Sequence, residues 1–134
     1  MKEKTKKWLP YIQADLQTAE ASLSSRKAKS RWTNLLILWH CQQAIEKSFK
    51  AIIIEQGKEL FKIHDLRTLR EQAKITIEDG QLKLIADLNQ YYLQSRYPDI
   101  LLKGLPEPSA AVAKKLFQQT KTLTLWLTEY LKKM

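Results

Sequence analysis

The chain has 134 residues, 44% of them hydrophobic and 28% charged, a size and composition that suit one globular domain spanning residues 1–134. Its single cysteine, Cys41, excludes an internal disulfide, and the lack of a long apolar run predicts a cytoplasmic protein without a membrane partner. The formal charge of +9 favours polyanionic partners such as RNA, DNA or an acidic protein surface, although a merely solvated basic surface would carry the same charge.

Long helices joined by short loops are predicted along the chain, because every glycine lies between periodic apolar segments and three of the four prolines share one connection. In chain order, the apolar spacing predicts helices at about 8–25, 32–56, 65–74, 81–94 and 109–132. A basic connection at 26–31 separates the first two helices, and Gly57 ends the second. With no strand pattern in competition, we predict an all-α fold: an up-and-down antiparallel bundle of four long helices plus one short helix.

The second predicted helix carries the most informative pattern. One side holds small and aliphatic residues that we expect in the core: Ile37, Cys41, Ala44, Ile45, Ser48 and Ile52. The opposite side is a polar stripe made of His40, Gln43, Lys47 and Lys50. Three apolar residues project from the same half as that stripe: Leu36, Trp39 and Ile54. This surplus apolar surface predicts a self-association interface and hence a homodimer; cover by the last helix, or by the loop after the fourth, is the alternative.

Three segments of the sequence resemble the motifs of one family. Residues 40–51 read HCQQAIEKSFKA, which is similar to the QQA-x-EK-x-x-KA signature of HEPN domains. Residues 63–66 read IHDL and resemble the family's T-H-x-L segment, with Ile63 in place of the usual hydroxyl residue. Residues 91–99 read YYLQSRYPD and resemble its R-Y-P segment, and residues 8–19 match its first helix. The segments occur in the family's order and together cover most of the chain.

The resemblance implies a helical bundle that is often a homodimer and is commonly encoded beside a minimal nucleotidyltransferase. Members of the wider superfamily act in toxin–antitoxin systems, and many are metal-independent endoribonucleases that use an Arg followed, after four to six residues, by a His. None of the five arginines of this chain is followed by a histidine at that distance. We therefore favour a non-catalytic subunit that pairs with a minimal nucleotidyltransferase and binds nucleotide or RNA. The alternative is an RNA-cleaving HEPN toxin with a degenerate site, so the question of enzyme activity stays open.

A composite binding surface is expected from six residues: Gln43, Lys47, His64, Arg96, Tyr97 and Asp99. Gln43 and Lys47 lie one helical turn apart, and the other four residues come from the segments that complete the resemblance. Lys47 and Arg96 would supply positive charge for a phosphate, with Arg96 able to bind it through two hydrogen bonds. Structural roles are the alternative, with His64 satisfying a group at the start of the third helix and Arg96 capping the end of the fourth. No catalytic residue, cofactor or metal site is assigned, since two histidines without an evident carboxylate partner make a poor metal site.

Overall fold

The computed structural model of the chain describes residues 1–25, 30–97, 99 and 105–134. These residues form helices and loops, and no strand occurs among them. The helices are α1 (Glu3–Lys6), α2 (Leu9–Ser24), α3 (Arg31–Glu55), α4 (Leu66–Ala73), α5 (Asp79–Arg96) and α6 (Ala110–Lys132).

The predicted all-α bundle is confirmed, and each predicted helix lies within about two residues of its expected bounds. The short helix α1 is an addition to the prediction, so two short helices accompany the four long ones in the described part of the chain. Most of the predicted basic connection, residues 26–29, lies outside the described residues, as does Pro98 of the R-Y-P segment.

Side chains close in sequence determine where the helices begin. Ser30 accepts a hydrogen bond from the backbone N–H of Thr33 at 3.2 Å, and Ser109 accepts one from Val112 at 3.1 Å. These contacts satisfy backbone donors that the first turns of α3 and α6 leave without a partner. Asp65 caps α4 in the same way, through the backbone N–H of the residue three positions on. The caps therefore define where α3, α4 and α6 begin.

Helix α3 lies at the centre of the bundle and contacts α1, α2, α4, α5 and α6. Its predicted core stripe is buried throughout: Ile37, Cys41, Ala44, Ile45, Ser48 and Ile52. The helix ends at Gly57, where φ is +77°, a left-handed conformation that glycine adopts without steric cost. The backbone N–H of Gly57 donates to Ile54 O at 2.9 Å and that of Lys58 donates to Ile53 O at 3.2 Å, which closes the last turn.

Contacts at the ends of α3 set the direction of its neighbours. The hydroxyl of Thr5, just before α2, donates to the Glu55 carboxylate at 2.7 Å, so α2 begins where α3 ends. The side-chain amide of Asn34 donates to Pro108 O at 2.9 Å, so α6 begins beside the start of α3. Helix α2 therefore runs antiparallel to α3, while α6 runs parallel to it. This is the up-and-down arrangement, in which the four long helices alternate in direction along the chain, so that the second (α3) and the fourth (α6) point the same way.

One side of α3 faces away from the core, and we call it the outer face of α3: Trp32, Leu36, Trp39, Gln43, Lys47 and Ile54. Leu36 is 58% exposed, Trp32 is also exposed, and Trp39 and Ile54 are half-buried. Lys50, predicted to lie on the same polar stripe, is instead buried. Among the helices that the structure describes, none combines the length and apolar character that a membrane span requires.

Candidate ligand-binding site

Glu46 is the centre of a group of polar side chains on one flank of α3. Its side chain is only 5% exposed. Glu46 Oε1 accepts hydrogen bonds from Gln42 Nε2 at 3.3 Å and from His64 Nδ1 at 3.0 Å, and Oε2 accepts one from Lys50 Nζ at 3.1 Å. We call Glu46, Lys50 and His64 the Glu46 cluster. A buried carboxylate is tolerated when it is both paired and hydrogen-bonded, and all these contacts serve that end.

The Glu46 cluster determines how the ring of His64 is oriented. Because a carboxylate only accepts hydrogen bonds, Nδ1 of His64 carries the hydrogen and Nε2 of the neutral ring keeps a lone pair. The side-chain amide of Gln42 also donates to the backbone oxygen of His64 at 2.8 Å, which fixes the segment before α4. The His64 side chain is 53% exposed, and no described residue hydrogen-bonds to Nε2. The imidazole is thus held from one side and open to solvent on the other.

Tyr92 of α5 joins His64 to Arg96. The rings of Tyr92 and His64 have centroids 6.1 Å apart with a tilt of 40°. Arg96 Nη1 donates to the Tyr92 hydroxyl at 2.7 Å, and its Cζ lies 5.6 Å from the centroid of the same ring. This hydrogen bond is the largest cause that raises the pKa of Arg96 above its ordinary value, and Glu46 adds a smaller effect in the same direction. Arg96 is exposed and belongs to no ion pair among the described residues.

A second cluster of the same composition lies on the other flank of α3. Asp15 of α2 is buried; its Oδ1 accepts a hydrogen bond from His40 Nδ1 at 2.9 Å and its Oδ2 accepts one from Lys47 Nζ at 2.6 Å. The ring of Tyr11 lies 5.7 Å from Lys47 Nζ. We call Asp15, His40 and Lys47 the Asp15 cluster. Both histidines of the chain therefore have a carboxylate partner, which sequence reasoning did not find.

The six residues expected to form one surface divide between these groups. Gln43 is connected to the Glu46 cluster through Gln42, because its side-chain amide donates to Gln42 Oε1 at 2.8 Å and Gln42 donates to Glu46. His64 and Arg96 meet through Tyr92, whereas the charge of Lys47 is compensated by Asp15. Tyr97 and Asp99 are exposed and follow α5 without a described contact to either cluster. Arg96 bonds to a neighbouring side chain and not to the last carbonyls of α5, so the capping alternative is wrong.

Four residues that organise the site lie in the segments that carry the family resemblance but were not assigned to the site from the sequence: Asp15, Gln42, Glu46 and Tyr92. Gln42, Glu46 and Lys50 recur at intervals of four residues, so they form one stripe of α3 that the sequence could have indicated. No comparable signal connects Asp15 with Lys47, since they are 32 residues apart and meet only because α2 packs on α3.

Metal binding and cysteine nucleophile chemistry are two other kinds of site to consider. In the described ranges, no group of three or more His, Cys, Asp and Glu side chains is arranged to hold a metal ion. Cys41 is buried, and burial raises its pKa to about 12, so the group is a protonated thiol at neutral pH. This agrees with its place in the core stripe.

The family model of the HEPN domain matches residues 5–130. The chain belongs to the HEPN domain family. Its fold is similar to the crystal structure of TT1696 from Thermus thermophilus, with a TM-score of 0.75 and 19% identity over 96% of this chain and 98% of that one. It is also similar to the crystal structure of ST0689, an archaeal HEPN homologue, with a TM-score of 0.69 and 23% identity over 98% and 99% of the two chains. The search of curated proteins finds no match.

In this HEPN domain the three family segments converge on one place. The signature helix supplies Gln42, Glu46 and Lys50, the second segment supplies His64, and the third supplies Arg96. The remaining polar residues of the signature, Gln43 and Lys47, are bonded to Gln42 and Asp15. Each polar side chain of the signature therefore has a defined partner, and the exposed groups at this place include His64, Asp65 and Arg96.

Proposed function

We propose that this HEPN domain is a non-catalytic subunit that pairs with a minimal nucleotidyltransferase, as in toxin–antitoxin-type systems, and binds the phosphate of a nucleotide or of RNA at the Glu46 cluster. The observation that carries the phosphate site is the state of Arg96. Its guanidinium is exposed, and its hydrogen-bond partner is the neutral hydroxyl of Tyr92 and not a carboxylate. Because a guanidinium presents several donors in a plane, its remaining N–H groups can engage two phosphate oxygens.

The lysines near the site support this assignment by contrast. The charges of Lys47 and Lys50 are offset by Asp15 and Glu46 at 2.6 and 3.1 Å. Of these three cations, Arg96 is therefore the one without a carboxylate partner among the described residues. The half-exposed ring of His64 is its neighbour across Tyr92. The net charge of +9 adds a long-range attraction for any polyanion.

A direct test is nucleotide binding by Arg96→Ala. We expect it to weaken the binding of a fluorescently labelled nucleotide by about tenfold or more, since it removes a charge-assisted, two-point contact. Lys133→Ala is the matched control, because it removes one exposed positive charge at the far end of α6. Equal losses in the two variants would mean that only net charge matters and would contradict the site.

Pairing with a nucleotidyltransferase is inferred from the family. The test is co-expression of the chain with a minimal nucleotidyltransferase encoded beside it, followed by size-exclusion chromatography of the purified proteins. A joint peak containing both chains is expected, and separate elution of the two proteins at micromolar concentration would contradict the pairing.

The homodimer is proposed from the outer face of α3, where Leu36 and Trp32 are exposed and Trp39 and Ile54 are half-buried. Light scattering should give about twice the chain mass of 15.7 kDa. Leu36→Glu should lower that mass toward the monomer, whereas Leu125→Glu, an equally exposed leucine on α6, should not. A wild-type monomer would rule the dimer out.

Metal-independent RNA cleavage is the second candidate function, and one observation favours it. The family's nuclease spacing is absent, yet His64 and Arg96 flank the same tyrosine, and Glu46 orients the imidazole with Nε2 free to take a proton. Incubation of the purified protein with single-stranded RNA tests it directly. Cleavage that disappears in both His64→Gln and Arg96→Ala would replace the non-catalytic proposal.

A further inference from the structure

His64 has one ring nitrogen available to a ligand. Nδ1 donates to Glu46 Oε1 at 3.0 Å, the side chain is half exposed, and Nε2 has no hydrogen-bond partner among the described residues. In the neutral ring, Nε2 carries a lone pair that accepts hydrogen bonds and is repelled by a phosphate oxygen. In the protonated ring, Nε2 becomes a charged donor. Protonation of Nε2 therefore changes its interaction with a phosphate oxygen from repulsive to attractive.

The charged groups around the ring come from α3, from the segment before α4 and from α5. From α3, Glu46 is paired with Lys50, and it accepts the Nδ1 hydrogen whether or not Nε2 is protonated, so the ring keeps its orientation. Beside the ring, the exposed Asp65 accepts hydrogen bonds from the Thr68 hydroxyl and the Asn89 amide, both at 2.6 Å, and keeps its negative charge. From α5 come the Tyr92 ring and the Arg96 guanidinium.

The number of free cations at the site therefore depends on pH. With neutral His64, Arg96 alone faces a ligand; with protonated His64, two positively charged donors flank Tyr92. A phosphate group has enough oxygens to accept hydrogen bonds from both, and charge-assisted bonds of this kind are stronger than neutral ones.

We propose that His64 of the Glu46 cluster and the neighbouring Arg96 form a proton-linked phosphate site. Arg96 and the protonated Nε2 of His64 hold one phosphate group, and binding takes up one proton. This rests on the proposed function, because it specifies which group of the ligand is held and under what condition. The Asp15 cluster lacks this property: the His40 side chain is only 23% exposed, and no arginine is described beside it.

The test is a pH series of binding measurements on the whole chain, from about pH 5.5 to about pH 8, the range in which histidine side chains change charge. Two probes carry phosphate: adenosine 5′-monophosphate, and a short single-stranded RNA without terminal phosphates. Adenosine, which has the base and sugar but no phosphate, is the control ligand. Isothermal titration in two buffers with different heats of ionisation counts the protons taken up.

For wild type, affinity should fall by up to about tenfold per pH unit on the alkaline side, with uptake approaching one proton per ligand. His64→Gln should remove this dependence, and its ratio to wild type at each pH cancels the ionisation of the ligand itself. His40→Gln is the matched control, since it removes the other carboxylate-oriented histidine, and it should follow wild type. A slope with adenosine 5′-monophosphate indicates a terminal phosphate, and a slope with the RNA alone indicates the diester backbone.

Two failures are distinguishable. Binding that depends on Arg96 but keeps the wild-type pH profile in His64→Gln, or an equal slope with adenosine, overturns the proton linkage and leaves the proposed function intact. Absence of binding by both phosphate probes at every pH overturns the linkage and the phosphate site together.

Discussion

The Asp15 cluster and the Glu46 cluster contain the same groups, namely a buried carboxylate, a lysine and a histidine bonded through Nδ1, yet they have different consequences. In the Asp15 cluster the carboxylate comes from α2, and the lysine and histidine come from α3, so the contacts join two long helices. In the Glu46 cluster the carboxylate and lysine share α3, and only the histidine comes from another segment.

That difference determines which group reaches solvent. His40 is part of α3 itself, its ring packs edge-on against Trp39 with centroids 4.9 Å apart, and most of the side chain is covered. His64 lies in the loop before α4 and shows half of its side chain to solvent. One arrangement of charges thus stabilises helix packing on one flank and presents an imidazole on the other. The position of the carboxylate in the fold, more than its chemistry, decides between the two outcomes.

The largest effect is expected for Glu46→Gln, because it leaves Lys50 buried without a carboxylate. Removing one member of a buried ion pair costs about 3 kcal/mol of unfolding free energy, measured by urea denaturation. Glu59→Gln, at an exposed glutamate, should cost well under about 1 kcal/mol. Adding Lys50→Met to Glu46→Gln should restore part of the loss. A loss for Glu46→Gln no larger than that of the control would show that Lys50 finds solvent and would contradict the described burial.

Asp15→Asn should cost less, about 1–2 kcal/mol, although it removes the carboxylate that both Lys47 and His40 contact. Lys47 is half-buried and on the outer face of α3, so its ammonium can turn to water when Asp15 is neutral. The same denaturation experiment measures the difference. A larger loss for Asp15→Asn than for Glu46→Gln would reverse the ranking of the two clusters.

Replacing each histidine by glutamine should lower the free energy of unfolding by different amounts, and this difference is smaller than that between the two carboxylate variants. We expect His40→Gln to cost about 1 kcal/mol, since a mostly covered ring loses packing and a charge-directed hydrogen bond. His64→Gln should cost about 0.5 kcal/mol or less, because half of that ring is already in water. Thermal unfolding of both variants at neutral pH provides the comparison. Equal or inverted losses would mean that His64 is a structural residue like His40.

The smallest effect concerns Glu55, a carboxylate outside both clusters and without a histidine. The hydroxyl of Thr5 and then the backbone N–H of Lys2 lower the pKa of Glu55 below its ordinary value of 4.5. A lowered folded-state pKa means that its contribution to stability is present above that ordinary value and is lost as pH falls through the lowered one. Wild type should therefore exceed Glu55→Gln slightly in unfolding free energy near about pH 7, and the difference should shrink as the pH is lowered below the ordinary value of 4.5. A difference that persists in acid would assign the effect to packing instead.

The helices and the core of this HEPN domain were predictable because their causes are local. Ser30 and Asp65 cap helices through residues three positions away, and Gly57 ends α3 through its own backbone freedom. The buried side of α3 follows from the helical period alone. Helix α1 escaped prediction because a single turn has too few residues for a periodic pattern.

By itself, the sequence determined the all-α bundle, the apolar stripe of α3 and the segments that carry Gln43, His64 and Arg96, since each depends on neighbours along one helix or on a short motif. Only the tertiary structure decided that Lys47 is neutralised by Asp15, that Lys50 is buried on Glu46, and that His64 and Arg96 share Tyr92. The Asp15–Lys47 and Glu46–His64 contacts join residues 32 and 18 positions apart. Hydrogen bonds act only over about 3 Å, so whether such residues meet depends on the packing and axial register of the helices, which no local pattern specifies.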